Sequence, residues 1–306
     1  MCIVALAIDH HPRFPLVIAA NRDEFFDRPT ARLAWWQAPA DGASEPGMPI
    51  LGGRDLKEGG TWLGLNPAGR LALVTNIRMP LPPDAQGPSR GHLVPAWLRS
   101  QGHGHPHWEQ LALPSYKPVN LLAADFARGE CWWASSARAS AMRLGPGVHG
   151  LSNAELDTPW PKVQKLKQRV ANTLDGPGAD SLTALISELF AALSDRAVAA
   201  DADLPRTGVG LEWERMLSAI FIRSADGRYG TRCSTLVITE HLHEHRVTHV
   251  LERSFPSGPG LALLRHVTLD DWPAQRQTAA QDAGAAPAAG HEADRMPPVR
   301  ESSSSH

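Results

Sequence analysis

Two apolar runs open the chain, IVALAI at 3–8 and PLVIAA at 15–20, with a polar stretch at 9–14 between them. Runs of this length bounded by turn residues predict two buried strands joined as a hairpin. Asn21-Arg22-Asp23-Glu24 stands where the second strand is expected to end. Residues 31–60, rich in Gly, Pro, Ala and Asp, read mainly as loop. Short strands are expected at 61–65 and 71–76, around the turn signal Asn66-Pro67-Ala68-Gly69. Residues 80–91 read as another loop, 92–100 as a short helix, and 119–125, 130–135 and 141–144 as a meander. Val163, Leu166, Val170 and Leu174 recur at helical spacing, after the N-cap and N1-proline signals of Asp157-Thr158-Pro159-Trp160-Pro161. A second amphipathic helix over 179–193 carries Leu182, Leu185, Ile186, Leu189 and Phe190. Late strands are expected at 217–222, 234–239 and 247–251. The order strands, helices, strands predicts an α+β or layered α/β fold. From about residue 273 large apolar side chains nearly vanish and the chain ends in Ser302-Ser303-Ser304-Ser305-His306. That composition predicts one domain over 1–272 and a disordered tail over 273–306.

Composition narrows the partners. The chain has 306 residues, 42% hydrophobic and 20% charged, ordinary for a soluble globular protein. A formal net charge of −2 supplies no basic field for nucleic acid or an anionic membrane. No apolar run reaches the ~18–20 residues of a membrane span. The run at 3–8 is too short for a signal sequence and has no basic segment before it. The cysteines, Cys2, Cys131 and Cys233, form no CxxC pair, which fits a reducing cytoplasm. Ten tryptophans stand against two tyrosines. Trp35-Trp36, Trp62, Trp132-Trp133 and Trp160 are candidates to line an apolar site, or to fill core and rim.

Cys2 changes the picture by its position. Methionine aminopeptidases remove Met1 when the next side chain is small, which leaves a thiol and a free α-amine on one residue. With reference pKa values of ~8.5 and ~7.7–8.0, the amine can take the thiol proton near neutral pH. That is the minimum equipment of an N-terminal nucleophile amidohydrolase. The plainer reading makes Cys2 a small apolar residue at the head of a buried strand. Other candidate groups follow. If the first two strands pair, Asp23 or Arg22 comes near the amino terminus, where a carboxylate would orient the amine and a cation would favour thiolate; a salt-bridged turn is the structural alternative. Thr75-Asn76-Ile77-Arg78 ends an apolar strand with an amide and a guanidinium, and an Asn N–H is a good oxyanion donor. Asn153 follows Gly150-Leu151-Ser152, and Arg232 enters the apolar strand at Cys233-Ser234-Thr235, where a charge needs a partner. The tracts His103-Gly104-His105-Pro106-His107 and His241-Leu242-His243-Glu244-His245 read as a loop and a hairpin turn rather than metal sites.

Taken in order, MCI at 1–3, NRDEFFDRPT at 21–30, GGRD at 52–55, GGTWLG at 59–64, TNIR at 75–78 and RGHLV at 90–94 resemble the NRDE protein family, also called the transport and Golgi organisation protein 2 family. GLSNAELDTPWPKV at 150–163, LPRTGVGLEWER at 204–215, IFI at 220–222 and YGTRCST at 229–235 continue the match. The resemblance implies a cytosolic protein with an N-terminal nucleophile (Ntn-hydrolase-like) fold: an α+β, four-layer αββα sandwich of two antiparallel sheets.

A more distant similarity to the penicillin V acylases and bile salt hydrolases implies roles. Cys2 would be the nucleophile, Asp23 the group orienting its amine and Asn76 the oxyanion donor. Asn153 would hold the amine or the substrate, and Arg232 would support the thiolate. Asn21, Arg22, Arg78 and Trp62 would bind substrate or support the site. In those enzymes the Arg precedes the Asn of the second strand; here Arg22 follows Asn21. The implied reaction is hydrolysis of an amide, ester or thioester of a small acylated substrate after Met1 removal, with no cofactor required and no metal. The alternative, drawn from the family's association with haem trafficking and acyl-lipid metabolism, is a carrier that holds haem or an acyl lipid in the same pocket without turnover.

Overall fold

The computed structural model describes residues 2–38, 47–80, 87–100, 111–243, 245–258 and 260–273. Thirteen strands form two fully antiparallel sheets among these residues. The first sheet runs β10-β1-β2-β11-β12-β13, built from β1 (Cys2–Ile8), β2 (Leu16–Phe25), β10 (Gly147–Leu151), β11 (Tyr229–Leu242), β12 (His245–Ser254) and β13 (Leu263–Asp270). The second runs β3 to β9 in chain order: β3 (Thr30–Gln37), β4 (Pro49–Asp55), β5 (Leu63–Leu65), β6 (Arg70–Asn76), β7 (Val119–Asp125), β8 (Glu130–Ser135) and β9 (Met142–Arg143).

The apolar runs at the start of the chain are continuous because both faces of β1 and β2 are covered. Ile3, Ala5, Ala7, Val17 and Ala19 face a helical layer. Val4, Leu6, Leu16 and Ile18 face the second sheet. The helical layer consists of α2 (Pro161–Asp175) and α3 (Leu182–Leu193), which pack Val163, Leu166, Val170, Leu185 and Leu189 on the first sheet. Pro161 opens α2 as expected, and Ser181 caps α3 by accepting from the Ala184 N–H at 3.1 Å. On the far side α1 (Leu93–Arg99) buries Leu93, Val94, Trp97 and Leu98 against the second sheet. The fold is therefore the expected α+β sandwich of two antiparallel sheets, with unequal helical layers. No helix of the described residues is long and apolar enough to cross a membrane.

Three expectations need correction. Residues 31–60 are not mainly loop: they hold β3 and β4. Glycine misled there, because it serves close packing; a Cβ on Gly53 would collide with the Trp62 ring. Residues 217–222 form no strand. They follow a short helix, α4 (Leu211–Met216), and their hydrogen bonds go singly to different segments, Phe221 N–H to the Asp195 carbonyl and Ile222 N–H to Thr231 Oγ1. Asn21 to Glu24 do not end β2 but lie inside it, because β11 continues the pairing through Thr231↔Asp23 and Gly230↔Glu24. The strands β10 and β13 carried no signal strong enough to predict. In the second histidine tract His241 and Leu242 end β11 and His245 begins β12, with Leu242 opposite His245. The first tract and the tail from 274 onward lie outside the described residues.

Candidate active site

Cys2 heads β1 and pairs with Arg22 across the hairpin, so both side chains point toward the second sheet. They enter a pocket of about 230 Å³ whose walls also include Asp23, Glu24, Arg28, Asp55, Trp62, Asn76 and Arg90. Glycine closes the far wall: Thr61 N–H donates to the Gly91 carbonyl at 3.1 Å, and a Cβ on Gly60 would collide with that carbonyl. The Arg22 guanidinium lies over the Trp62 ring at 4.4 Å and is 4.0 Å from the Glu24 carboxylate, which fixes a cation beside the thiol. Burial pushes the Cys2 thiol up from its ordinary value. Arg22 and a hydrogen bond from the Asp23 backbone N–H oppose that rise, while the Asp23 carboxylate adds to it. Burial likewise lowers the Arg90 pKa, against the pull of Cys2 and Glu24.

The strand ends around Cys2 are stitched by side chains. Ser152 Oγ donates to the Cys2 carbonyl at 2.9 Å and is 3.1 Å from Asn153 Oδ1. Asn153 Nδ2 donates to the Asn76 carbonyl at 2.9 Å, and Arg78 N–H donates to the Asn153 carbonyl at 2.7 Å. Thr75 Oγ1 donates to the Ser152 carbonyl at 2.6 Å. Asn153 is thus consumed in holding the end of β6 beside the end of β10. The Asn76 side chain, by contrast, makes no hydrogen bond to a described residue and lines the pocket.

On the helix-facing side of the same strands sits a second charged group. Asp23 Oδ1 accepts from Thr231 Oγ1 at 2.7 Å, and burial raises the Asp23 pKa against the lowering effects of Lys162, Thr231 and Arg22. Arg78 pairs with Glu214 at 2.5 Å and stacks on Trp160 at 4.7 Å. Lys162, near the start of α2, is buried, and its pKa is lowered to about 7 by burial and then by Arg78.

Placement of the residues singled out from the sequence is uneven. Cys2, Arg22, Asp23, Trp62 and Asn76 line one pocket. Asn153 and Arg78 brace it from behind. Asn21 lies on the helix-facing side, where Nδ2 donates to the Leu193 and Ile220 carbonyls at 2.8 and 2.9 Å and Oδ1 accepts from Ser234 at 2.6 Å; its role is to hold the fold. Arg232 is not brought to Cys2. It donates to the Phe25 and Arg28 carbonyls at 2.6 and 3.0 Å and lines a different pocket with Cys233 and Glu252. The cause is a bulge between Thr231 and Cys233 that leaves Arg232 unpaired in the ladder. The cation beside the thiol is Arg22. The sequence reading missed Ser152, Arg90, Glu214 and Lys162. Of these only Lys162 carried a visible signal, a lysine on the apolar stripe of a helix.

Among the described residues there is no group of three or more His, Cys, Asp or Glu side chains arranged to hold a metal ion. Haem fits the Cys2 pocket poorly, because pockets that enclose ligands of that size run ~300–1,000 Å³ with mostly apolar walls. The walls here are crowded with charge, and the volume is about 230 Å³.

Comparison with known proteins gives the chain its relatives. The family model described as Transport and Golgi organisation 2 matches residues 1–257. The Transport and Golgi organization protein 2 homolog of Bos taurus is 33% identical over 261 residues, covering 78% of this chain and 89% of that protein. The Homo sapiens homolog is 33% identical over 260 residues with the same coverage. Among solved structures, a mutant conjugated bile acid hydrolase from Clostridium perfringens is similar with a TM-score of 0.41 at 10% identity, over 87% of this chain and 96% of that one.

Proposed function

The chain belongs to the Transport and Golgi organisation 2 family, and we propose that it is an N-terminal cysteine nucleophile hydrolase for an amide, ester or thioester bond of a small acylated substrate. One observation carries the reading. A single pocket holds the Cys2 thiol, a cation and a backbone N–H beside it, and an Asn76 side chain that makes no hydrogen bond to a described residue. A half-buried amide without a permanent partner suits a hydrogen bond that forms in the transition state.

The proposed sequence begins with removal of Met1. Cys2 Sγ then attacks the carbonyl carbon while the thiol proton passes to the Cys2 α-amine. The oxyanion accepts from Asn76 Nδ2 and a backbone N–H. The α-ammonium returns the proton to the leaving nitrogen, oxygen or sulfur as its bond to carbon breaks. Water attacks the resulting thioester, gives its proton to the amine, and releases the acid with the thiol restored. Asp23 orients the amine, Arg22 takes the thiolate-supporting part, and Asn153 acts through the Asn76 backbone. The small volume and charged walls favour a short acyl group with polar substituents.

A carrier of an acyl lipid in the same pocket is the competing reading. Intact-mass measurement of the purified protein with p-nitrophenyl acetate separates the two. The expected result is a chain lacking Met1 that gains one acetyl group at Cys2 and loses it with time, with no label on Cys2→Ala. Retention of Met1 would falsify the amine-assisted mechanism.

A further inference from the structure

Lys162 is the second residue of α2 and shares that helix's buried stripe with Val163, Leu166, Val170 and Leu174. It is 2% exposed, and its Nζ has no hydrogen-bond partner among the described residues. Lysine is almost never fully buried unless paired, and an apolar side chain of similar length would suit the stripe better. The charge therefore costs stability at this position and needs a reason.

Its surroundings supply one. Cys2 comes from β1, Asp23 from β2, Arg78 from the segment after β6 and Glu214 from α4, and all four act on the Lys162 charge. Thr231 and Tyr229 of β11 border Asp23. Glu214 is already engaged by Arg78 at 2.5 Å and by the Thr207 N–H and hydroxyl at 2.8 and 2.6 Å. Asp23, on the helix-facing side of β2 beside the Arg22 that pairs with Cys2, is the carboxylate that acts on both Lys162 and Cys2.

We infer that Lys162 is a positioning residue of the Cys2 site, which shares Asp23 with the Cys2 α-amine and so keeps that amine able to act as a base. The inference rests on the amine-assisted reading of Cys2. With Asp23 as its sole partner, an α-ammonium holds its proton and cannot accept one from the thiol. A second cation on the same carboxylate weakens that hold and lowers the pH at which the amine becomes free.

The test is the pH profile of Cys2 acylation by p-nitrophenyl acetate, read by intact mass, for wild type, Lys162→Met and Lys162→Arg. In Lys162→Met the rising acid limb moves to higher pH by about one unit, roughly tenfold in rate at pH 7, while thermal stability is unchanged or raised. Lys162→Arg, which keeps the cation, stays close to the wild-type profile. Lys162→Gln is read in parallel so that a folding failure of the Met variant leaves the question decidable. A limb in Lys162→Met or Lys162→Gln that coincides with wild type overturns the inference while leaving Cys2 as nucleophile. An equal shift in Lys162→Arg also overturns it, since it marks a packing effect. Wild-type protein that takes no label at Cys2 sinks the nucleophile reading first, and this inference with it.

Discussion

From Leu16 to Ala19, β2 contributes only apolar side chains, Val17 and Ala19 to the helix-facing core and Leu16 and Ile18 to the core between the sheets. From Asn21 to Glu24 the same strand still pairs with β11, and with β1 as far as Arg22, yet carries an amide and three charges. Depth does not separate the halves: Ile18 and Asp23 are both 1% exposed, and Arg22 only 6%. The sign of the energy does. Each apolar side chain stabilises by leaving water, on the order of 25 cal/mol per Å² buried. Each polar one costs free energy unless a partner offsets it. Asn21 is fully offset by two carbonyls and a hydroxyl. Arg22 is offset in part by the Trp62 ring, and Asp23 by Thr231 and the cations around it. The polar half is held in place by its surroundings, which is the condition for preorganised chemistry and a poor way to gain stability.

Substitutions break the comparison apart. The largest effect is on Asn76, which belongs with the polar half. Asn76→Ala should slow Cys2 acylation about 10²–10³-fold, the loss typical of a deleted oxyanion donor, and leave the melting temperature almost unchanged because the side chain makes no hydrogen bond to a described residue. Single-turnover labelling and thermal denaturation together check it, and a slow but unstable variant would refute the role. Ile18→Ala should do the opposite. Removing a buried aliphatic side chain costs about 2–5 kcal/mol of stability, while the acylation rate of the folded fraction stays at the wild-type level. Denaturant unfolding read beside the same labelling assay decides it. Asn21→Ala is the intermediate case: it should cost about 1–3 kcal/mol for leaving buried partners unpaired and disturb Cys2 only slightly, because Asn21 lies on the opposite face from the thiol.

The same contrast explains what was readable in the sequence. Hydrophobic burial leaves a periodic trace, so β1, the first half of β2, α2 and α3 stood out. β3 and β4 did not, because their glycines serve close backbone approach, and 217–222 misled because an apolar run can be buried without joining a ladder. The polar half was legible as residue types but not as geometry. Motif resemblance brought out Cys2, Asp23 and Asn76, and those three do meet in one pocket. It placed Arg232 beside the thiol, which the bulge at Thr231 and Cys233 prevents; a one-residue shift in a strand redirects a side chain and leaves no mark in composition. Lys162 was visible only as an exception to the stripe around it, a polar residue where the helical period calls for an apolar one.

Lys162 also gives the smallest effect and the sharpest test of the cost assigned to buried charge. In the unfolded chain it titrates near its ordinary 10.5; in the folded protein burial holds it down to about 7. Between those values the unfolded state keeps a proton that the folded state has released, so raising the pH favours folding, by at most about 1.4 kcal/mol per pH unit for this one group. The buried thiols act in the other direction, since burial raises Cys2, Cys131 and Cys233 above their ordinary 9.0. Their effect begins near pH 9 and is common to wild type and variant. The informative quantity is therefore the stability of Lys162→Met minus that of wild type, measured by urea unfolding from pH 7 to 9. Lys162→Met should be the more stable protein at pH 7, and its advantage should shrink steadily as the pH rises and wild type sheds the cost of the charge. An advantage that stays constant across that range would mean the folded protein holds Lys162 at an ordinary pKa, with its ammonium solvated or paired, and the contrast between the two halves of the core would lose its clearest case.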